Sequence, residues 1–178
     1  MCTLHSMCTL HNMSKAKGSD IRSGTTDIEY ELTLLSRYHA LAQRTDLELE
    51  RSAFLLLGRL ELQSPMSLKE LARAFSLDVS TVNRQVAALL RQNLVERVSD
   101  PEGGTARKIR PTDTGLAKLH ADRRQTVVGL EKVLARWTPD ERESLAYLLR
   151  RFNQSVEHLE GRDWPRPGDR VDPDQSAQ

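Results

Sequence analysis

The chain of 178 residues is poor in aromatic side chains, in cysteine and in net charge. Phenylalanine, tryptophan and tyrosine make up 4% of the residues, and both cysteines, Cys2 and Cys8, lie in the first ten. Cysteines placed there cannot form a disulfide framework that holds a core together. A formal net charge of +1 excludes a polycation that binds nucleic acid through its overall charge. Any surface for a polyanion must therefore be local.

Long hydrophobic runs are also lacking. No apolar segment approaches the roughly 20 residues that cross a bilayer, and the N-terminus has no signal-peptide core, so we expect a cytoplasmic protein. Charged residues make up 29% of the chain and apolar residues 38%, which is typical of thin helical layers with much solvated surface. A second copy of the chain would cover part of what such layers leave exposed.

The two ends of the chain differ in composition from its middle. Residues 1–26 contain a tandem hexamer, MCTLHS followed by MCTLHN, and then a Ser, Gly and Lys stretch, which predicts a disordered tail. Met7 and Met13 are alternative start residues. Residues 161–178 contain three prolines and two glycines without an apolar period, which predicts a second disordered tail. The predicted folded body spans 27–160.

Within this body, apolar periodicity and capping signals predict a mainly α-helical fold with one small β-hairpin. The predicted elements are helices near 27–44, 47–62, 67–74 and 78–92, strands at 94–98 and 106–110, and helices near 113–136 and 139–160. Ser67 with Glu70 and Thr138 with Glu141 match the capping-box pattern. Asn93 tolerates the left-handed conformation that ends a helix.

A short capped helix, a tight turn, a longer helix and a hairpin follow one another, which is the order of a winged helix-turn-helix. Val82, Val86 and Leu89 are predicted to face inward. The outward side chains suit DNA, because arginine binds guanine, asparagine or glutamine binds adenine, and valine touches the thymine methyl group. The predicted DNA-binding residues are Ser67, Val79, Ser80, Thr81, Asn83, Arg84, Gln85, Arg97, Arg107, Lys108 and Arg110.

The charge distribution supports this interpretation. Residues 79–111 contain six basic and three acidic residues, although the whole chain is nearly neutral. The polar outer face of one isolated helix is usually only solvated. The hairpin that follows directly makes a DNA-binding face the better hypothesis. In the hairpin, Ile109 is predicted to point inward and Lys108 and Arg110 to face the other way.

Five segments of the body carry a resemblance to a known family. They are Pro65-Met66-Ser67-Leu68-Lys69-Glu70-Leu71-Ala72, Val79-Ser80-Thr81-Val82-Asn83-Arg84, Asn93-Leu94-Val95-Glu96-Arg97, Asp100-Pro101-Glu102 and Thr112-Asp113-Thr114-Gly115. With them, the region from about Ser36 to Leu159 resembles the MarR family of bacterial regulators. The resemblance implies a homodimer that represses genes until a small, often phenolic or anionic, ligand or an oxidant releases the DNA. The expected partner is double-stranded DNA with a pseudo-palindromic operator.

The resemblance divides the body into two parts. A winged-helix DNA-binding lobe is expected over 47–112, and a helical dimerisation body over 27–46 and 113–160. The expected dimer contacts are Ile28, Leu32, Leu35, Leu145, Leu149, Phe152 and Val156. The effector is expected between body and lobe, where Tyr38, His39, Arg51 and Trp137 are candidate lining residues.

Two departures from the family pattern concern the recognition helix and the wing. Asn93 stands where the family commonly has glycine after the recognition helix. Gly103, Gly104 and Thr105 stand where the wing usually carries Asp and Arg, so the arginine that enters the minor groove is missing from its usual position. We predict that Arg107 or Lys108 contacts the DNA backbone instead, with a weaker contribution from the wing.

The tandem hexamer leaves a different kind of regulator open. Cys2 and His5, and then Cys8 and His11, have a spacing that zinc ligands use. A metal- or redox-responsive regulator is therefore an alternative. A near-perfect duplication in a tail is more typical of sequence drift, and structural zinc sites lie inside folded units. We expect neither a bound metal nor a cofactor.

An enzyme is the contrasting class of function. The five histidines have no nucleophile or metal partner at a recognised spacing. Gly103-Gly104 lies in the predicted hairpin and not between a strand and a helix, so it does not form a phosphate-binding loop. We therefore expect no enzymatic activity. A winged helix that holds only protein partners is a further alternative.

Overall fold

The computed structural model describes residues 24–36, 48–101 and 103–167. The chain divides into two compact units, Met1–Thr45 and Asp46–Gln178. In the first unit, residues 24–36 are helical (α1), so this helix starts inside the segment predicted as a tail. Its apolar side chains Ile28 and Leu32 are exposed.

The second unit follows the predicted order of elements. It contains α2 (Arg51–Leu62), α3 (Leu68–Phe75), α4 (Val79–Arg91), β1 (Val95–Val98), β2 (Lys108–Pro111), α5 (Asp113–Val133) and α6 (Pro139–Glu160). The strands form an antiparallel hairpin in which Arg97 lies opposite Ile109. Met66, before α3, adds a bridge to Ile109. The predicted fold, mainly α-helical with a small β-hairpin wing, is confirmed.

Local capping signals explain where several of these helices begin. Ser67 Oγ accepts a hydrogen bond from Glu70 N at 3.2 Å, and Ser67 N donates to the Glu70 carboxylate at 2.6 Å. Thr138 and Glu141 form the same reciprocal pair at the start of α6. Asp78 is the N-cap residue of α4, but its side chain makes no capping hydrogen bond. Both capping boxes that the sequence predicts are therefore present.

The core lies between α2, α3, α4 and the hairpin. Its fully buried side chains include Leu56, Leu57, Leu60, Leu71, Val82, Val86, Leu94, Ile109 and Leu119. The inward positions predicted for α4, Val82, Val86 and Leu89, are confirmed. Ile109 points inward as predicted. α4 is thus held from one side by apolar packing, and its other side is left to solvent.

One glycine marks a close contact between the hairpin and α5. A Cβ atom built on Gly115 would lie 2.1 Å from the Leu94 carbonyl oxygen. Thr112, the N-cap of α5, also binds this region, because its hydroxyl donates to the Asn93 carbonyl at 2.7 Å. Only glycine allows α5 to begin so close to the backbone at Leu94. The Thr112-Asp113-Thr114-Gly115 motif, one of the segments that resemble the MarR family, therefore packs the start of α5 against the hairpin.

The two long helices leave most of their apolar side chains uncovered. In α5, Leu119 is buried, whereas Val127 is 56% exposed. α6 contains no buried residue, although its apolar side chains lie on one face. Within the second unit, the described residues leave these faces open to solvent. No helix in the described ranges is long and apolar enough to span a bilayer.

The C-terminal prediction needs correction at its start. Residues 161–167, expected to belong to a disordered tail, contact the folded unit. The ring of Trp164 packs edge-on against Phe75 at 5.4 Å between centroids, and Arg166 binds Glu157 at 2.6 Å. Trp164 and Phe75 are distant in sequence, and composition cannot reveal such a contact. Residues 168–178 lie outside the described residues.

Candidate nucleic-acid interface

The turn between α3 and α4 fixes the orientation of the recognition helix. Ser76 ends α3 in the left-handed conformation, with φ 50°, and Leu77 N donates to the Ala72 carbonyl at 3.0 Å. Leu71 of α3 and Val82 of α4 are both fully buried in the shared core. α3 therefore supports α4, as a helix-turn-helix requires.

The outer face of α4 contains most of the predicted base contacts. Val79, Ser80, Asn83 and Arg84 are exposed, whereas Thr81 is half-buried. The Arg84 guanidinium donates to the Thr81 hydroxyl at 3.3 Å, which leaves further N–H groups available. The four exposed side chains lie in the first two turns of α4. This end of a recognition helix contacts base edges in the major groove.

Gln85 has a different environment from the other predicted contacts. It is half-buried and lines a cleft of about 400 Å³ between α4 and the start of α2. Glu48 and Glu50 line the same cleft, and so does Arg84. Gln85 is therefore less accessible to DNA than the four exposed residues of α4.

In the wing, Lys108 is not placed as the sequence predicted. Its Nζ atom lies 3.1 Å from the Asp100 carboxylate, and both side chains are only 12% exposed. Arg110 pairs with Glu96 at 2.7 Å, where both side chains remain well exposed. An ion-paired, mostly buried ammonium group cannot act as a free phosphate contact. The prediction that Lys108 replaces the missing wing arginine therefore loses its support.

Two arginines of the hairpin have no ion-pair partner among the described residues. Arg97 lies on β1 and Arg107 directly precedes β2, and both are exposed. Ser67 is half-buried, and its hydroxyl is used in the capping box. Among the described residues of the wing, Arg97 and Arg107 are therefore exposed without an ion-pair partner, whereas Lys108 is paired with Asp100.

Sequence reasoning did not single out Arg91, which is exposed at the C-terminal end of α4. It lies seven residues after Arg84, and therefore on the same helix face. That spacing could have identified it. Sequence reasoning also did not pair Glu96 with Arg110, although these residues lie directly opposite each other in the hairpin. Both signals were present in the sequence.

Polar contacts of Asp122 and Glu61 tie the lobe to α5. Asp122, 2% exposed, accepts hydrogen bonds from Glu48 N and Leu49 N, each at 3.2 Å. Glu61 of α2 contacts both His120 and Arg123 of α5. Burial alone would raise the pKa of Glu61, but hydrogen bonds from His120 and Arg123 outweigh it and lower that pKa. The start and the end of α2 are thus both anchored to α5.

The candidate effector residues are not brought together in the described part of the chain. Tyr38 and His39 lie outside the described residues. Arg51 is exposed at the start of α2, and Trp137 is exposed in the turn between α5 and α6. Neither lines the clefts of about 490, 400 and 570 Å³ in the second unit. A pocket built from these residues stays a prediction.

The predicted dimer contacts are accessible. Ile28, Leu32 and Leu35 are exposed on α1, and α6 carries exposed Leu149, Phe152 and Val156 with a half-buried Leu145. In the N-terminal repeat, Cys2, His5, Cys8 and His11 lie outside the described residues. Within the described ranges, no group of His, Cys, Asp and Glu could hold a metal ion.

Comparisons with known proteins agree with this geometry. The MarR family model matches residues 49–103, which include α2, the helix-turn-helix and β1. An uncharacterised HTH-type transcriptional regulator of Bacillus subtilis, YxaD, is 39% identical over 131 residues, which cover 72% of this chain and 92% of YxaD.

Two solved structures show the same fold. A MarR family protein from Bacillus stearothermophilus aligns with a TM-score of 0.59 at 21% identity, over 80% of this chain and 96% of that one. The PcaV regulator from Streptomyces coelicolor, solved with its natural ligand, aligns with a TM-score of 0.55 at 24% identity, over 72% and 93%. The chain therefore belongs to the MarR family of DNA-binding, winged helix-turn-helix transcriptional regulators.

Proposed function

We propose that this regulator binds a pseudo-palindromic DNA operator as a homodimer and represses transcription until a small organic ligand releases it. Two α4 helices would enter successive major grooves, with half-sites about one helical turn apart. Such a protein would act in the cytoplasm, and the proposal gives it no catalytic role. The observation that carries it is the polar outer face of α4, held outward by a buried inner face.

Individual residues have distinct roles in this proposal. Arg84 would bind guanine bidentately, Asn83 would bind adenine, and Val79 would contact a thymine methyl group. Arg97, Arg107 and Arg110 would lie near phosphates, where they position the lobe without reading sequence. Arg110 would contribute least of these three because Glu96 already neutralises it.

Exposed apolar surface supports the homodimer. α6 shows Leu148, Leu149 and Phe152 to solvent, and α5 adds Val127 and Val133. Large apolar side chains exposed on one helix face, as on α6, often mark an interface. A second copy of the chain would cover them and would place two recognition helices on one DNA duplex.

Ligand release requires that the ligand prefer one spacing of the two lobes over another. Asp122 of α5 binds the backbone of Glu48 and Leu49, and Glu61 of α2 binds His120 and Arg123 of α5, so a movement of α5 would be passed to the lobe. PcaV, with the same fold, was solved with its natural ligand. A ligand that favoured a spacing unsuited to successive grooves would lower the affinity for the operator.

The test is a footprint on the DNA that flanks the gene, with binding measured at several salt concentrations. Arg84→Ala should abolish protection of an inverted repeat, because one bidentate guanine contact in each half-site is lost. Arg124→Ala, which removes an exposed arginine from α5, is the matched control and should bind like the wild type. Absence of any protection at low salt would refute the proposal and favour a winged helix that binds proteins.

A further inference from the structure

Arg59, near the end of α2, is a buried cation whose partners are all neutral. It is 8% exposed. Its guanidinium donates to the Asp163 carbonyl at 3.2 Å and to the Gln63 amide oxygen at 2.7 Å, and it lies 4.9 Å from the Trp164 ring centroid. The Nε atom is buried without a partner in the described structure. The guanidinium thus uses few of its five N–H donors.

A buried charge of this kind normally has an anionic partner, because removal from water is costly. Burial lowers the pKa of Arg59, and no neighbouring carboxylate offsets that effect. Glu157, which lies close by, is already bound by Arg166. Within the described residues, Arg59 therefore has no counter-ion.

Arg59 lines a cleft of about 490 Å³ at the junction of α2, α3, the wing and the C-terminal segment. Pro65, Met66 and Ala74 give this cleft an apolar side, and Arg73 and Arg162 give it a positive one. Arg73 is exposed and has no ion-pair partner among the described residues. The cleft therefore combines positively charged side chains with an apolar surface.

Apart from Asp163, the other charged groups of the cleft are already engaged. The Glu70 carboxylate accepts from Ser67 N in the capping box, and Lys108 pairs with Asp100. Arg162 binds Glu160 at 2.5 Å. Asp163 also lines the cleft, and its side chain is exposed. The cleft is left with an excess of positive charge centred on Arg59 and Arg73.

We propose that this cleft binds a small organic carboxylate, with Arg59 as its counter-ion. The planar guanidinium matches a carboxylate in shape and charge. The apolar side formed by Pro65, Met66 and Ala74 favours a ligand with a hydrocarbon part over inorganic phosphate. The site is distinct from Arg51 and Trp137, which do not line this cleft. Because binding is read directly, the proposal does not depend on the operator.

Trp164 provides the signal for a direct test. The chain has two tryptophans, so Trp137→Phe leaves Trp164 as the only one. This protein is titrated with cyclohexanecarboxylate, which does not absorb in the near ultraviolet, at constant ionic strength. We expect a saturable change in Trp164 fluorescence. Cyclohexylmethanol, the neutral analogue, and inorganic phosphate should each bind at least about tenfold more weakly.

Variants in the same background locate the site. Arg59→Gln should weaken binding at least about tenfold and Arg73→Gln about threefold, because both remove charge from the cleft. Arg124→Gln, on the exposed face of α5, should leave affinity unchanged. If circular dichroism shows that Arg59→Gln does not fold, Arg73→Gln decides alone, since that side chain is exposed.

Four results would overturn the proposal. These are no saturation by about 50 mM cyclohexanecarboxylate, equal binding of the alcohol, full affinity in folded Arg59→Gln, and loss of binding in Arg51→Gln instead. The last result would place the ligand in the pocket predicted from sequence. None of these results bears on DNA binding, so the two proposals can fail separately.

Discussion

At the scale of single residues, Gly115 shows how a short motif fixes the junction between the wing and α5. We predict that Gly115→Ala lowers the free energy of unfolding by about 2–4 kcal/mol, because the new Cβ would meet a backbone oxygen at 2.1 Å. Chemical denaturation at matched protein concentration measures this.

Gly129→Ala is the control for Gly115→Ala, since it lies in the same helix with nothing within 4 Å of the added Cβ. This control should be neutral or gain up to about 1 kcal/mol from helix propensity. Equal stability of the two variants would show that the close contact at Leu94 does not affect the free energy of unfolding.

Arg107 and Lys108 of the wing should differ in how much they contribute to operator binding. Arg107→Ala should weaken operator binding and lower the salt slope by about two, because one phosphate contact would be lost in each half-site of the dimer. Lys108→Ala should leave the salt slope nearly unchanged, because Asp100 already neutralises Lys108. Binding isotherms at several salt concentrations measure both. An unchanged affinity and slope for Arg107→Ala would exclude this arginine from the interface.

At the scale of elements, the capping box of α3 gives the helix-turn-helix a defined response to acid. Hydrogen bonds from the Ser67 backbone and side chain lower the pKa of Glu70 below its ordinary value. A carboxyl group with a lowered folded-state pKa stabilises the protein above its unfolded-state pKa. This contribution is lost as pH falls through the folded-state value.

Glu70→Gln should therefore be less stable than the wild type at neutral pH, by about 0.5–1 kcal/mol. The difference should shrink as pH falls below about 4. Thermal unfolding from pH 7 to pH 3 measures it. Glu143→Gln, which alters an exposed glutamate of α6 that has no ion-pair partner among the described residues, should show no such convergence. A difference that stayed constant with pH would contradict the role of the Glu70 charge.

Elements defined by local signals could be predicted from sequence. The capping boxes at Ser67 and Thr138, the left-handed Asn93 with φ 55°, and the inward face of α4 depend on neighbouring residues, and all are present. The C-terminal contacts could not be predicted, because Trp164 and Phe75 are far apart in sequence. The pairing of Lys108 with Asp100 depends on how the wing loop folds back, which alternation of strand residues does not determine.

At the scale of the whole molecule, the proposed homodimer would use the uncovered face of α6 to bring two lobes together. We predict that Phe152→Asp converts a homodimer into monomers, because Phe152 is 44% exposed in the centre of this apolar face and a buried unpaired carboxylate is costly. Sedimentation velocity measures the oligomeric state. Operator affinity should fall by at least about 100-fold, since one lobe would have to bind alone.

Gln154→Asp introduces the same charge on the opposite side of α6, two residues along the helix. It should remain dimeric and bind the operator like the wild type, which separates an effect of position from an effect of charge. If Phe152→Asp stayed dimeric, α6 would not form the interface, and α1 with its exposed Ile28 and Leu32 would be the next surface to test. If it became monomeric yet kept operator affinity, the requirement for two recognition helices would be wrong.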